Sequence, residues 1–407
     1  MARPVFILGG FQTDFERHFA REQKDIAHIV QEVCDGVLQD CRLEAQAIEA
    51  IHIGNAFGEL FNKQAQMGAL PASVDARFWG IPAARHEAAC ASGSIAILAA
   101  MAEIEAGRYD CVLVLGAEQE RNVQGLTAAR HLGTAAWTGH EAQDCKLVWP
   151  EMFSQLAEEY QRLYGMQYAH LAAIAETNFA NAKRNPNAQT RHWQFPPDSF
   201  TENDDLNPVV AGWTRRQDCG QVTDGGAAVI LASTRFAQAW ANQRDIGLSH
   251  LPRILGWGHR TAGLSLQAKL AHSQELIFPH VRMAIQQAWQ SAGLHEVWQV
   301  DGIETHDCFA MTQYMAIDHF GITAPGQSWR AIEEGILAFD GKLPMNPSGG
   351  LIGGGHPVGA SGIRMLWDAA KQVTGRAGDY QIPAAKRFAT LNIGGSATTA
   401  VSFVVGV

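Results

Sequence analysis

Two residues of this chain, Cys90 and His356, have side chains that can serve as a nucleophile and as a general base, and each lies just before a predicted helix. Cys90 is followed by the small residues Ala91-Ser92-Gly93-Ser94, after which an apolar helical pattern begins. A thiol at a helix N-terminus faces the positive end of the helix dipole, so this position predicts a lowered thiol pKa. The exposed N–H groups of such a turn also bind a developing oxyanion. The alternative is a buried cysteine that packs as a small apolar side chain.

His356 lies in a segment of unusual composition, because residues 346–362 contain seven glycines in seventeen positions. The segment does not match a nucleotide-binding loop, since the chain has no G-x-G-x-x-G and its Gly341-Lys342 is followed by leucine. What remains is a tight backbone that presents one imidazole just before a helix. The alternative is that the glycines only pack against a core histidine.

Three further segments carry polar groups of interest. His306-Asp307-Cys308-Phe309 follows a predicted strand, and its His-x-Cys spacing resembles half of a metal site without a second half nearby. The alternative is a polar loop without a function. A second strand, Leu391-Asn392-Ile393, ends in Gly394-Gly395-Ser396. Arg215-Arg216 is one of few basic clusters, and it is a candidate anion site or a solvated surface.

The elements that position these residues occur twice. A buried strand at 5–8, a helical stripe from Ile26 to Leu38 and a strand at 48–54 are echoed by 254–256, by Val281 to Trp289 and by 300–305. The helix after Cys90 and the strand 111–116 are echoed by the helix after His356 and the strand 388–392. The chain is therefore predicted to be an α/β protein of two duplicated βαβαβ-type halves, with mostly parallel sheets covered by helices.

The stretch between the halves differs in kind. Residues 120–220 contain a long helical region from Phe153 to Arg184, proline- and asparagine-rich turns, and the bulky side chains Trp137, Trp149, Met152 and Phe153. We expect a lid-like loop domain inserted into the first half and shaping an apolar pocket. The predicted domains are 1–119 with 221–250, the insertion 120–220, and 251–407.

Composition sets limits on function. The 407 residues include 31 basic and 41 acidic residues, a net charge of −10, which argues against nucleic acid as a partner. Seven cysteines without a C-x-x-C pair predict free thiols in a reducing compartment, with no structural metal. The N-terminus lacks a signal-peptide pattern, and no apolar stretch is long enough to span a membrane. We expect a cytoplasmic protein with no membrane partner.

Taken in order, these segments resemble the thiolase family along essentially the whole chain. Cys90 matches the nucleophile of that family, and Gly116-Ala117-Glu118 matches its glycine-glutamate turn. Asp224-Gly225-Gly226-Ala227-Ala228 resembles its D-G-A-A-A strand, and Gly355-His356-Pro357 with Gly359 and Gly362 resembles its G-H-P-x-G-x-x-G loop. Each match is weak alone, whereas the ordered set is specific. The resemblance implies the thiolase fold, a layered α/β/α/β/α core.

Within that family the chain is similar to the sterol-carrier-protein-2 type. His306-Asp307-Cys308-Phe309 stands where common thiolases have N-E-A-F. Asn392-Ile393-Gly394-Gly395-Ser396 stands where they have C-I-G-G-G, so the usual second catalytic cysteine is absent from that loop. The H-D-C-F segment of the sterol-carrier type supplies a cysteine from the other loop.

The resemblance implies a coenzyme-A-dependent Claisen or retro-Claisen reaction through an acyl-cysteine. Cys90 would carry the acyl group, His356 would deprotonate the Cys90 thiol, and Cys308 would be the second acid/base. His306 with His356 would hold one thioester oxygen, and the backbone N–H groups of Cys90 and Gly394 would hold the other.

The same resemblance implies acyl-CoA and CoA as substrates, no permanently bound cofactor, no metal and a homodimer or homotetramer. Two other functions are compatible with the residues. One is a related condensing enzyme of the ketoacyl or hydroxymethylglutaryl synthase type, and the other is an acyl-CoA-binding, lyase-like subunit of a complex. Cys90 argues against the second of these.

Overall fold

The computed structural model describes residues 3–273 and 275–407. Two strands, Val209–Ala211 (β5) and Thr214–Arg215 (β6), form a small separate hairpin. The other nine form one sheet and are Val5–Gln12 (β1), Ala50–Gly54 (β2), Ala83–His86 (β3), Cys111–Glu118 (β4), Gly225–Ser233 (β7), Arg253–Thr261 (β8), Gly302–Thr305 (β9), Arg387–Gly394 (β10) and Thr399–Gly406 (β11).

The α-helices of the described residues flank this sheet and the loops that leave it. They are Ile26–Cys41 (α1), Gly58–Phe61 (α2), Leu70–Val74 (α3), Ser92–Glu105 (α4), Gly125–Gly133 (α5), Val148–Tyr164 (α6), Tyr168–Ala182 (α7), Thr234–Asn242 (α8), Leu266–Ala271 (α9), Pro279–Ala292 (α10), Ala310–Phe320 (α11), Ser328–Glu333 (α12) and Ser361–Thr374 (α13). None of the helices in this part of the chain has both the length and the apolar character that crossing a membrane requires.

The large sheet is mixed, so the prediction of mostly parallel sheets is wrong. Its strand order is β3-β2-β4-β7-β1-β8-β11-β10-β9. Only β2 with β3, β2 with β4, and β9 with β10 run parallel, and the remaining five pairings are antiparallel. The reason is that each half closes with a returning strand, β7 or β11, that lies antiparallel to both of its neighbours. Apolar runs alone do not give strand direction.

The predicted duplication and its layers are confirmed. Helix α1 covers one face of the first half and α10 covers the corresponding face of the second. Helices α4 and α13 lie between the halves, where they pack against each other and against strands of both. Their apolar faces form one buried cluster, which includes Ile97, Ala100, Ile363 and Leu366. The two halves also join edge to edge, through the pairs Val5–Ile254 and Phe6–Arg253 of β1 and β8.

The insertion packs against the second half, although it interrupts the first half in sequence. Tyr160 of α6 donates a hydrogen bond to Asp318 of α11 at 2.6 Å, and both side chains are buried. His170 of α7 lies 2.9 Å from Glu333 of α12. Phe153 stacks on Phe309 with ring centroids 4.5 Å apart. The insertion therefore bridges the two halves above the loops that precede α4 and α11.

Candidate active site

Cys90 lies in a strained turn at the start of α4. Ala89, directly before it, has a φ of +50°, a left-handed conformation that alanine rarely adopts. Ser92 closes the turn, because its hydroxyl donates to the carbonyl of Ala89 at 2.6 Å and accepts from the N–H of Ala88 at 2.9 Å. The turn directs a half-buried thiol into a cavity instead of into the core. Backbone strain of this kind is common at functional sites.

The loop that carries His356 is brought to Cys90 by close packing of glycines. A Cβ atom on Gly54, Gly93 or Gly116 would lie within 2.7 Å of the carbonyl oxygen of Gly359. The ends of β2 and β4 and the first turn of α4 therefore close around the Gly359 peptide only because these positions lack side chains. Gly359 lies three residues after His356 and comes from the other half. The active site is thus assembled across the interface between the halves.

The buried carboxylate of Asp307 holds the glycine-rich loop in place. Its carboxylate accepts from the N–H groups of Leu351 at 2.6 Å and Ile352 at 3.2 Å, and from the side chain of Asn178 at 2.7 Å. Gly350 has a φ of +62° and contacts this carboxylate directly, so a side chain there would collide with it. The sequence analysis assigned no role to Asp307, although its place between His306 and Cys308 was visible.

A buried ionic network supports the same loop. The guanidinium of Arg364 in α13 pairs with Asp368 at 2.9 Å and Glu304 at 3.1 Å, and donates to Ser348 at 2.7 Å. All four side chains are almost fully buried. Charges taken out of water are stable only when they are paired and hydrogen-bonded, so this network tolerates little displacement of the loop. This network was not predicted from the sequence, because its four members are spread over 65 residues of the chain.

Three predicted residues meet at one point. The sulfur of Cys90 and one ring nitrogen each of His306 and His356 all lie within 4.8 Å of one another. The two imidazole rings meet edge to face, with centroids 5.3 Å apart. Both Nε2 atoms are buried, and neither has a hydrogen-bond partner among the described residues. Two buried ring nitrogens without hydrogen-bond partners beside a thiol indicate a ligand-binding site.

The hydrogen bonds of His356 leave its Nε2 as an acceptor. Its Nδ1 lies 2.6 Å from the hydroxyl of Ser361, and that hydroxyl donates its own proton to the carbonyl of Pro357 at 3.0 Å. Ser361 must therefore accept from Nδ1–H, and the Nε2 lone pair of the neutral ring is free toward Cys90. Burial lowers the pKa of His356 to about 3, which keeps the ring neutral.

His306 has the opposite tautomer. The amide oxygen of Asn392 accepts from Ser94 at 2.7 Å, so the Asn392 amino group donates to Nδ1 of His306 at 3.2 Å. The neutral His306 ring consequently carries its proton on Nε2 and offers a donor to the site. Burial, and then the nearby His356, lower the pKa of His306 well below its usual value. One histidine thus presents an Nε2 lone pair and the other an Nε2–H donor, an arrangement that suits oxyanion chemistry better than metal ligation, which needs both Nε2 lone pairs.

The thiol of Cys90 does not have the lowered pKa that its position predicts. Burial and the carboxyl of Glu120 raise the pKa of Cys90 to about 12, although the N–H of Gly395 favours the thiolate. The prediction is wrong for the free protein because the low-dielectric surroundings outweigh one helix terminus. A thiol with so high a pKa attacks a thioester only if a neighbouring base takes its proton. A ring nitrogen of His356 lies within 4.8 Å of the Cys90 sulfur and is a candidate for that base.

Cys308 lines the same cavity as Cys90 and His356. Burial, followed by proximity to Cys90, raises the pKa of the Cys308 thiol well above its usual value. Cys219 also lines this cavity, whereas the sequence analysis did not connect it with the site. Its segment crosses to the second half, where the N–H of Gly220 donates to the carbonyl of Cys308 at 2.8 Å.

The N–H of Gly395 lies beside the Cys90 thiol and favours its thiolate, and Gly395 lines the cavity. Gly394, the residue directly before it, ends β10, and its carbonyl accepts from the N–H of Thr398 at 2.9 Å. The role of the Gly394 N–H as an oxyanion donor stays a prediction.

The space in front of these residues, which we call the Cys90 cavity, has a volume of about 190 Å³ and mainly apolar walls. The insertion supplies Trp149 and Phe153, as predicted, and Phe309 and Val358 come from the second half. Met152 is instead buried in the core, and Trp137 is 41% exposed and stacks on His140. One acidic side chain, Glu120, also reaches the cavity, and the sequence analysis did not select it.

The arginine pair at 215–216 lies outside this cavity. Arg215 forms an ion pair with Asp204 at 2.6 Å. Arg216 is exposed and borders a separate surface pocket beside Trp193 and Phe195. An anion held by Arg216 would therefore bind on the surface of the insertion, outside the cavity that contains the Cys90 thiol.

Comparison with known proteins agrees with this geometry. A family model described as "Thiolase, N-terminal domain" matches residues 5–235, and one described as "Thiolase C-terminal domain-like" matches residues 263–407. An acetyl-CoA acetyltransferase of Methanothermobacter thermautotrophicus is 31% identical over 98% of both chains. Human sterol carrier protein 2 is 27% identical over 99% of this chain and 72% of its own length.

A solved structure described as "Ltp2-ChsH2(DUF35) aldolase" has the same fold. It matches with a TM-score of 0.77 at 18% identity, and covers 100% of this chain and 98% of that one. The two matched domains, the acetyltransferase relatives and the duplicated fold agree with one another. This chain belongs to the thiolase family, and it is an acyltransferase of the CoA-dependent Claisen type.

Proposed function

We propose that the reaction proceeds through an acyl group held on Cys90, with His356 as the base that activates it. The observation that carries this proposal is a ring nitrogen of His356 within 4.8 Å of the Cys90 sulfur, in a ring whose Nδ1 is bonded to Ser361 and whose Nε2 has no partner among the described residues. As the thiol gives its proton to Nε2, sulfur attacks the thioester carbonyl and the bond to the CoA sulfur breaks. The departing CoA thiolate then takes the proton from His356.

The charge that develops on the thioester oxygens falls on donors in two places. The N–H groups of Cys90 and Gly394 would hold the oxygen of the group on Cys90, and the N–H of Gly395 lies next to the thiol itself. The Nε2–H of His306 serves the oxygen of the second thioester, whose enolate forms or collapses during carbon–carbon exchange. Fixed donors in a water-poor site cost no reorganisation when charge appears.

Cys308 is the proposed second acid/base. In cleavage, its protonated thiol gives a proton to the α-carbon of the departing enolate. In synthesis, its thiolate removes that proton before the enolate attacks the acyl group on Cys90. The raised pKa of the Cys308 thiol favours the protonated form and hence readiness for the cleavage direction.

Trapping the acyl group tests the nucleophile. After incubation with acetyl-CoA or acetoacetyl-CoA, intact-mass spectrometry should show one acetyl adduct, which peptide mapping assigns to Cys90. Cys90→Ala and Cys90→Ser should show none, because alanine has no nucleophile and the serine hydroxyl is much less acidic than a thiol. Cys219→Ala is the matched control for a cysteine of the same cavity, and an adduct on Cys219 instead of Cys90 would refute the assignment.

Proton exchange tests Cys308 separately. With Cys308→Ala, acetylation of Cys90 should continue while exchange of the α-protons of acetyl-CoA with deuterated water is lost, as followed by NMR. Exchange at the wild-type rate in that variant would assign the role to another group, and His356 is the first candidate because its base is already in the site.

We further propose a homodimer or homotetramer that places the edge strand β3 in an interface. β3 is the terminal strand of the sheet, and Trp79 just before it is 74% exposed. An unpaired strand edge beside an exposed aromatic side chain favours association with a second copy. Light scattering should give a multiple of 44.2 kDa, and Trp79→Glu should shift the mass toward the monomer.

Three further expectations accompany this function. The substrates are acyl-CoA and CoA, without a permanently bound cofactor. The insertion 120–220 acts as the substrate-facing unit, since Trp149 and Phe153 line the cavity. The seven free cysteines suit a reducing compartment such as the cytoplasm.

A further inference from the structure

Glu120 is a carboxyl side chain in a wall that is otherwise mainly apolar. It follows β4 in sequence, is 1% exposed and lines the Cys90 cavity beside His356 and Val358. Its carboxyl lies close enough to Cys90 that, as an ion, it would raise the pKa of that thiol more than any other charge. A buried ionisable group without a structural partner is expensive, so its presence at this position requires a reason.

The groups around Glu120 do not neutralise it as an ion. The nearest charged groups are the carboxyls of Glu118 and Asp224, which repel a third negative charge. The neighbouring guanidiniums are engaged elsewhere, since Arg121 donates to the carbonyl of Arg17 at 3.0 Å and Arg85 pairs with Glu59. Glu120 accepts from the N–H of Val358 at 3.2 Å, and a backbone hydrogen bond at Thr223 also favours its ionised form, but no cation pairs with it among the described residues.

These surroundings favour a neutral carboxylic acid. Burial and then the charge of Glu118 raise the pKa of Glu120 well above its usual value. A neutral carboxyl differs from a carboxylate in having a proton to donate. Because Glu120 lines the Cys90 cavity, the proton of its neutral carboxyl can be donated to a ligand that enters there. A buried acid used as a hydrogen-bond donor is an established device in enzyme sites.

We propose that Glu120 is a specificity-determining residue that donates a hydrogen bond to a neutral oxygen on the acyl chain carried by Cys90. The inference rests on the proposed function, because it needs the acyl group to enter the Cys90 cavity. The substrate class is then an acyl-CoA with a hydroxyl or carbonyl group on its chain. A site that holds a donor discriminates against the analogue that lacks the acceptor, because the donor is left unpaired when the wrong chain binds.

A purely structural role is the alternative, since Glu120 also holds Val358 near His356. That role would affect every substrate equally, because a displaced His356 slows the acylation of Cys90 whatever the chain. The specificity role affects the ratio between an oxygenated chain and its hydrocarbon analogue of equal length. The ratio therefore separates the two roles even if the absolute rates fall.

The experiment measures the rate of Cys90 acylation by intact-mass spectrometry with matched pairs of thioesters. The pairs are butanoyl-CoA with its 3-hydroxy and 4-hydroxy derivatives, and pentanoyl-CoA with 4-oxopentanoyl-CoA. The wild-type protein should favour at least one oxygenated member by about tenfold, the value of one hydrogen bond to a buried group. Glu120→Gln, which keeps a donor and an acceptor, should retain most of this preference. Glu120→Met, which has neither at similar volume, should bring the ratio close to one.

Each outcome decides the proposal. A wild-type protein that acylates Cys90 with all chains at rates set by length alone overturns it, and leaves the acyl-cysteine mechanism intact. An unchanged ratio in Glu120→Met also overturns it, and a preference for 4-aminobutanoyl-CoA would show that Glu120 acts as an anion. If Glu120→Met fails to fold, the wild-type panel and Glu120→Gln remain decisive. Absence of any acylation of the wild-type protein would instead refute the proposed function.

Discussion

The loop before α4 and the loop before α13 occupy equivalent places in the duplicated halves, but they are held in different ways. The Cys90 turn is closed by the hydroxyl of Ser92, and one residue in it is in a left-handed conformation. The His356 loop is held by the buried carboxylate of Asp307 and by the ionic network of Arg364. Under the proposed function, Cys90 as nucleophile needs room to carry an acyl group and release it, whereas His356 as base must keep one tautomer and one direction throughout.

The sharpest test of this contrast is the base itself. His356→Ala should slow acetylation of Cys90 about a thousandfold, within the usual range for loss of a general base. Ser361→Ala, which removes only the acceptor for Nδ1–H, should cost about tenfold because the ring can then adopt either tautomer. Mass spectrometry after incubation with acetyl-CoA measures the acetylation rate of each variant. Alkylation of Cys90 by iodoacetamide measures how reactive the thiol is in each variant and in the wild type. Wild-type alkylation in His356→Ala would contradict the activating role.

The second test compares the stability of the two loops. Arg364→Met leaves Glu304 and Asp368 buried without their cation, which should cost about 3–5 kcal/mol in the free energy of unfolding. Ser92→Ala removes the hydroxyl that closes the Cys90 turn and should cost about 1 kcal/mol. Urea unfolding gives both values. Equal costs would mean that the two loops are held with similar strength after all.

A smaller effect is expected from the residue that sets the tautomer of His306. Asn392→Ala removes the donor to Nδ1, so the proton of the neutral ring is no longer fixed on Nε2. We expect kcat/KM for acetoacetyl-CoA to fall about tenfold, because one oxyanion donor becomes intermittent. Acetylation of Cys90 by acetyl-CoA, which uses the Gly395 side, should change less. Equal losses in both assays would assign Asn392 a general structural role.

The smallest effect concerns pH. Because burial lowers the pKa of His356 to about 3 and raises that of Cys90 to about 12, neither group titrates near neutrality. The rate of Cys90 acetylation should therefore be flat between about pH 5.5 and 7.5, without the inflection near 6.5 of an ordinary histidine. An inflection there would place His356 in contact with water in the working protein.

The same burial affects stability at low pH. His356 binds a proton in the unfolded chain below about 6.5 but in the folded protein only below about 3. The unfolded state therefore takes up more protons in this window, and the contribution of His356 to stability is complete above pH 6.5 and is lost as pH falls toward 3. Urea midpoints for the wild type and for His356→Phe, compared at pH 7 and pH 4.5, should converge at the lower pH.

Much of the fold follows from the sequence because its signals are local and repeated. Strands β1, β2, β4, β8, β9 and β10 and helices α1, α4, α10 and α13 lie where apolar periodicity places them, whereas β3 and β11 were not predicted. Strand direction and the docking of the insertion do not follow, because they depend on contacts such as Tyr160 with Asp318 that join distant segments. Local patterns carry no information about such partners.

The site divides in the same way. Ordered motifs single out Cys90, His306, Cys308 and His356, and the structure brings the thiol of Cys90 together with both histidines. The raised pKa of Cys90 and the contact of its thiol with the Gly395 N–H depend on burial and on the folded turn, which no motif encodes. Glu120 has no signal in sequence, since only the folded cavity shows that its side chain points toward the thiol.

The contact of Gly54, Gly93 and Gly116 with the Gly359 carbonyl has a consequence for the life of the chain. Gly359 belongs to the same loop as His356, so the close fit that admits its peptide also brings His356 to Cys90. Under the proposed function, a first half on which the second half has not docked holds Cys90 without its activating base. Completion of the active site is therefore coupled to the docking of the two halves.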